Sequence, residues 1–230
     1  MIENQNKLYV MERPKLSESQ EDYLKEIFKL QEKKGKVSTL DLAEKLGVKP
    51  PSVTGMIKKL NSLNLVKHEP YKGVQLTPTG EKIALEVIRH HRLIELYLSR
   101  HLNYSWDEIH QEAERLEHFI SEKFEAAIAE KMNHPTHDPH GEPIPALDLT
   151  IPESPDMLPL TAFVSGKVAV VGKVTTQDKD LLNLLSRLEL TIGQRIEVAG
   201  NDTGGIRVVI NSSQFLVPNS IAGYIWCRDK

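Results

Sequence analysis

Four side chains within one short stretch can hold a divalent cation: His110, Glu114, Glu117 and His118. On a helix they fall within an arc of roughly 100°, so one face carries two imidazoles and two carboxylates. His91 and Glu95, at i and i+4, place another such pair on one face of a preceding helix. Burying these groups without partners is costly, and a divalent metal satisfies all of them. A lone buried His is usually a hydrogen-bonded core residue, and Glu114 and Glu117 alone would be surface charge. Their conjunction on one arc, beside His91 and Glu95, favours metal. A hydrolase would need an open coordination position for substrate water, and no His-Glu-x-x-His motif is present, so an enzyme is not expected.

The elements that position these residues can be read from pattern and caps. Ser17 or Ser19 opens a helix to about Lys33, ended by Gly35, and a short helix runs from Leu40 to Leu46. Pro50-Pro51-Ser52 starts another, reaching about Leu63. Two short strands, 65–69 and 73–77, flank Pro70-Tyr71-Lys72-Gly73. A long helix opens at Thr77-Pro78 and runs to about Arg100. A capping box, Ser105 with Glu108, begins one that reaches about Met132. Residues 133–160 hold seven prolines and read as an irregular connection in which His140-Gly141 makes a turn. His134, His137 and His140 are expected to be structural there. Beyond 160, short β runs at 167–171, 195–198, 206–210, 214–217 and 224–227, with a helix near 179–188, read as a small β-barrel.

Charge is unevenly placed. The net charge is −3, yet residues 49–100 carry nine Lys/Arg against four Glu, and residues 104–160 carry three against thirteen acidic. A phosphate-facing part followed by a cation-holding part fits this asymmetry. No apolar run approaches the roughly 20 residues of a membrane span, and no secretory leader is read at the N-terminus. The single Cys227 rules out an intrachain disulfide and fits a reducing cytoplasm.

Helix, short helix, turn, helix and a two-stranded wing describe a winged helix-turn-helix. Its second helix would enter the major groove with Pro50, Pro51, Ser52 and Thr54 near base edges. Thr39, Lys58, Lys59, Lys67 and Lys72 are expected at the DNA, the lysines meeting phosphate, with Tyr71 packing on the sugar-phosphate backbone.

Taken together, Asp22-Tyr-Leu, Ser52-Val-Thr, Tyr71-Lys-Gly73, Leu76-Thr-Pro-Thr-Gly80, His90-His-Arg-Leu-Ile-Glu95, Glu112-Ala-Glu-Arg-Leu-Glu-His118 and Asp138-Pro-His-Gly-Glu-Pro-Ile-Pro145 resemble the diphtheria-toxin-repressor family of metal-dependent transcriptional repressors. The resemblance covers nearly all of 17–230 and implies a mainly α fold with small β. It divides the chain into a winged helix-turn-helix domain (1–76), a helical metal-binding and dimerisation domain (77–145), a Pro-rich linker (146–160) and an SH3-like β-barrel (161–230). It implies a primary metal site of Asp22, Glu114, Glu117 and His118. It also implies an ancillary site of His91, Glu95 and His110, to which the barrel would add Gln177 and Asp180, with Asp178 as a substitute. The iron-sensing branch has sulfur ligands where this chain has Asp22 and Glu114. Carboxylates suit Mn²⁺, so the resemblance is to the manganese-sensing branch. Lys25 stands where that branch often has a second carboxylate, and Gly55 replaces a long polar side chain of the iron branch on the recognition helix. The expected protein is therefore a cytoplasmic, Mn²⁺-dependent homodimeric repressor of metal uptake that binds palindromic operator DNA. The alternatives are an Fe²⁺-dependent repressor of the same family and a metal-independent winged-helix regulator.

Overall fold

The computed structural model describes residues 15–69 and 73–229. Tyr71 and Lys72, expected at the wing tip, lie outside the described residues. The chain divides into two compact units, Met1–Leu85 and Glu86–Lys230.

The first unit holds α1 (Glu18–Lys34), α2 (Thr39–Leu46), α3 (Pro50–Ser62) and a ribbon of β1 (Val66–Glu69) and β2 (Gly73–Leu76). The first turns of α4 (Pro78–Leu102) also belong to it. Ser38 opens α2 with a reciprocal cap: its hydroxyl accepts from Asp41 N at 3.0 Å, and its own N–H donates to Asp41 Oδ2 at 3.0 Å. Gly47 ends α2 in the left-handed region, φ +64°, ψ +28°. Val53, Ile57 and Leu60 turn one stripe of α3 inward, toward a core that also buries Leu24, Ile27 and Leu42. β1 and β2 pair antiparallel from Val66 opposite Leu76 to Glu69 opposite Gly73. Gly73, at φ +90°, lies so close to the Val37 carbonyl that an added Cβ would come within 2.7 Å of it.

In the second unit, α4 continues into α5 (Ile109–Leu116), α6 (Glu122–Lys131) and a six-stranded antiparallel sheet in the order β3-β8-β4-β5-β6-β7. Its strands are β3 (Leu158–Pro159), β4 (Val168–Val174), β5 (Arg195–Asp202), β6 (Gly205–Ile210), β7 (Ser213–Pro218) and β8 (Ile225–Asp229). α7 (Lys179–Arg187) and the short α8 (Asn219–Ala222) complete the unit. Leu182 and Leu185 of α7 pack on Val171, Val198, Val208 and Ile225 in a core of apolar side chains.

Three details differ from the sequence expectation. The single helix to Met132 is two helices: Ser121 leaves helical geometry (φ −84°, ψ 153°) and its hydroxyl caps α6 at Phe124 N, 3.2 Å away. The β part is SH3-like, but among the described residues no pairing joins the edge strands β3 and β7, so ladder closure into a barrel is not seen. Residues 133–160 also contain structure: His137 bridges Pro143, and β3 pairs with β8.

Candidate metal centre and nucleic-acid interface

The second unit concentrates acids and imidazoles where α4 meets α5. His91 and Glu95 are one turn apart on α4 and both are buried. Glu95 Oε1 lies 3.0 Å from His91 Nε2, 3.2 Å from His110 Nδ1 and 3.8 Å from His140 Nε2. The opposite ring nitrogen, His91 Nδ1, is 2.5 Å from Glu117 Oε2 and 3.8 Å from Glu114 Oε1. Glu114 Oε1 is also 3.7 Å from His110 Nε2, and His118 Nε2 is 3.4 Å from Glu117 Oε1. His91, His110 and Glu114 each present a ligand atom within 4.8 Å of the others. Donors on opposite sides of a first-row ion stand about 4.4 Å apart, so this spacing suits one.

The electrostatics match a site held together by protons until a cation replaces them. Burial pushes the His91 imidazole down, but the Glu95 and Glu117 carboxylates overcome it and raise its pKa to about 9. Burial likewise opposes ionisation of Glu95, and the His91 charge with the His110 and His91 hydrogen bonds hold it well below the usual carboxylate range. Asp138 is pushed up to about 7, first by burial and then by the charge of Glu95.

The sharpest test of fit is His140. Both its ring nitrogens are buried with no hydrogen-bond partner among the described residues, and the ring stacks on Trp106, 5.3 Å between centroids and 10° from parallel. A buried imidazole with neither nitrogen paired, 3.8 Å from a carboxylate oxygen, fits a cation.

Glu114 lies with His91 and His110 of the ancillary set, and Glu117 reaches the same His91. Gln177 Nε2 approaches His110 Nδ1 at 3.5 Å, from the segment between β4 and α7. Asp180 is exposed in the first turn of α7, and Asp178 is occupied as the α7 cap, accepting from Leu181 N at 3.0 Å. Asp22 belongs to the first unit, on α1, where its carboxylate is 3.6 Å from the ammonium of the buried Lys25.

Sequence reasoning gave His140 a structural role in a turn. The turn it expected is present: Asp138 Oδ1 accepts from His140 N and Glu142 N at 2.8 and 2.9 Å, and Gly141 has φ +82°. The ring's place beside Glu95 depends on β4 of the sheet. Val174 N donates to the His140 carbonyl at 2.9 Å, and Lys173 Nζ pairs with Glu142 at 2.9 Å. A Cβ on Gly141 would stand 2.0 Å from the Gly172 carbonyl oxygen. The signal was Asp-x-His within a Pro-flanked turn.

In the first unit, Pro50 and Pro51 open α3, and Ser52, Gly55, Lys58 and Lys59 are exposed on it. The Thr54 hydroxyl turns back to donate to the Pro50 carbonyl at 3.1 Å. Nothing lies within 4 Å of a Cβ added to Gly55, so the fold does not demand glycine there. Thr39 is half-buried at the start of α2, and Lys67 is exposed on β1.

Comparison with known proteins matches three successive parts of the chain. Residues 15–74 match the iron-dependent repressor N-terminal DNA-binding domain. Residues 77–146 match the metal-binding and dimerisation domain of that family, and residues 158–229 match the FeoA domain. The chain is 31% identical over 206 residues to an iron-dependent repressor, IdeR, of Mycobacterium bovis, covering 85% of this chain and 90% of that one. Over 103 residues it is 40% identical to the regulator MntR of Geobacillus kaustophilus, covering 45% of this chain and 72% of that one. A solved manganese-dependent transcriptional repressor in complex with manganese superposes with a TM-score of 0.82 at 35% identity, covering 92% of this chain and all of that one.

Proposed function

The chain belongs to the iron-dependent repressor family of metal-dependent, DNA-binding repressors, and we propose that its own signal is Mn²⁺. The observation that carries this is the chemistry of the cluster on α4, α5 and the 138–140 turn, whose donors are carboxylates and imidazoles throughout. Thiolate and thioether favour more thiophilic ions, whereas hard oxygen donors tolerate Mn²⁺, whose selection then rests on geometry and supply. The names of the manganese-dependent relatives agree with this reading, and those of the iron-dependent relatives support Fe²⁺ as the second reading.

In the proposed site Asp22, Glu114, Glu117 and His118 form the primary ligand set. His91, Glu95, His110 and His140 form the ancillary one, with Gln177 approaching from the sheet domain and Asp180 and Asp178 beside it. A bound divalent cation supplies positive charge that lets these acids stand together. Without it Glu95, Glu114 and Glu117 repel one another and share protons with the histidines. The domains divide the work at 1–76, 77–145 and 161–230, joined by the Pro-rich 146–160.

Pro50, Pro51, Ser52 and Thr54 present α3 to base edges, and Thr39, Lys58, Lys59, Lys67, Tyr71 and Lys72 meet the backbone. Leu116, Phe119 and Phe124 are exposed apolar residues around the α5–α6 corner and give a homodimer its contact. A dimer sets two recognition helices at half-site spacing on a palindromic operator of metal-uptake genes. Fluorescence anisotropy at fixed salt, with the promoter of the protein's own gene, tests this. Binding that Mn²⁺ supports and a chelator abolishes is expected. Stronger support from anaerobic Fe²⁺ would replace Mn²⁺, and binding indifferent to chelator would end the metal reading.

A further inference from the structure

His90, next to the ligand His91, has both ring nitrogens committed elsewhere. Nδ1 is 3.0 Å from the Glu117 carbonyl oxygen and Nε2 is 3.0 Å from Glu125 Oε2. Both contacts are buried, and each ring nitrogen faces an oxygen of a neighbouring element. The other Glu125 oxygen accepts from Arg89 Nε at 2.5 Å, and Arg89 Nη1 donates to the Pro145 carbonyl at 2.6 Å. Burial works against the Glu125 charge, but His90 and Arg89 hold its carboxyl below the usual range.

The Glu117 carbonyl sits where the chain leaves α5. Helical geometry lasts through Glu117 (φ −58°, ψ −28°) and is broken at Ser121. Carbonyls at such an end need donors from outside the helix, and the Nδ1–H tautomer of His90 supplies one at 3.0 Å. Glu117 is thereby gripped from α4 at two points: His91 faces its carboxylate and His90 its carbonyl. Fixing both the main chain and the side chain of one residue fixes the direction in which its carboxylate, and the neighbouring His118, present their donors.

We propose that His90 and Glu125 are a positioning pair for the metal donors Glu117 and His118, transmitting the placement of α6 to the site. This rests on the metal reading given above. Outer groups of this kind orient ligands without touching the ion, and their loss typically weakens metal binding by about 10- to 100-fold.

The test is Mn²⁺ binding to the full chain, followed by electron paramagnetic resonance, with thermal melting of the metal-free protein alongside. His90→Phe and Glu125→Leu should each weaken one class of Mn²⁺ site about 10- to 100-fold and leave the other class unchanged. Glu125→Gln keeps an acceptor oxygen for His90 and should recover most of that loss. Should His90→Phe fail to fold, the contrast between Glu125→Leu and Glu125→Gln decides. Wild-type affinity in His90→Phe, equal weakening of both classes, or no recovery in Glu125→Gln would overturn the pair's role. Absence of Mn²⁺ binding in the wild type would instead overturn the metal reading beneath it.

Discussion

The two halves of the second unit bury different things. The sheet domain encloses Leu182, Leu185, Val198, Val208, Ile210 and Ile225, all apolar, while α4, α5 and the 138–140 turn enclose Glu95, Glu117, Asp138, His90, His91 and His140 in addition to an apolar cluster that includes Leu93, Ile109 and Ile144. Apolar burial stabilises at any pH and any metal concentration. Buried acids and imidazoles stabilise only when protons or cations balance them. The sheet domain is thus a fixed support and the acid–imidazole cluster a conditional layer on the helical half, and they meet at Gly141, where the support carries the His140 turn on β4.

The contrast can be broken most forcefully at the ligands. Glu95→Ala leaves three imidazoles without their shared oxygen, and Mn²⁺ affinity by calorimetry should fall by about 100-fold or more. In the sheet domain, Leu185→Ala should lower unfolding free energy by about 2–5 kcal/mol, to the same extent with and without Mn²⁺. Equal metal dependence in the two variants would erase the distinction.

Changing pH sharpens it. The folded pKa of His91 is raised to about 9, so its contribution to metal-free stability is complete below its unfolded value near 6.5 and is lost as pH climbs through about 9. Asp138, raised to about 7, loses its contribution earlier, between about pH 4 and 7. Metal-free melting temperature should therefore fall from pH 7 to 10, while Mn²⁺ affinity rises by up to about tenfold per unit as protons leave the ligands. The two trends moving together would contradict this. The smallest effect is expected at Gly55→Ala in the first unit, where a Cβ meets nothing. Stability should change by no more than about 1 kcal/mol, in the stabilising direction, as read by denaturant melts.

Legibility in the sequence follows the range of the forces involved. α2 is fixed by Ser38, Asp41 and Gly47, and α3 by its prolines, all within a turn of the helix ends, so both were readable. The pairing of His91 with Glu95 and the face shared by His110 and Glu114 follow from helical periodicity alone. The break at 117–121 was missed because the arc of ligands suggested one continuous helix, and the Ser121 cap inside it was read through. The place of the His140 ring beside Glu95 was not legible for a different reason. Its position depends on the Gly141–Gly172 approach across more than thirty residues of chain, a tertiary contact that no local pattern encodes. Whether β3 pairs with β7, which is not seen among the described residues, is likewise a matter of long-range pairing.

The most direct test of the whole account is the reciprocity of metal and DNA. Mn²⁺ affinity should be measured by calorimetry on the full chain, free and then saturated with operator DNA. Operator should tighten Mn²⁺ binding by the same factor by which Mn²⁺ tightens operator binding, about 5- to 150-fold. Identical Mn²⁺ affinities with and without operator would show that the buried cluster binds metal without governing DNA, and would contradict the account.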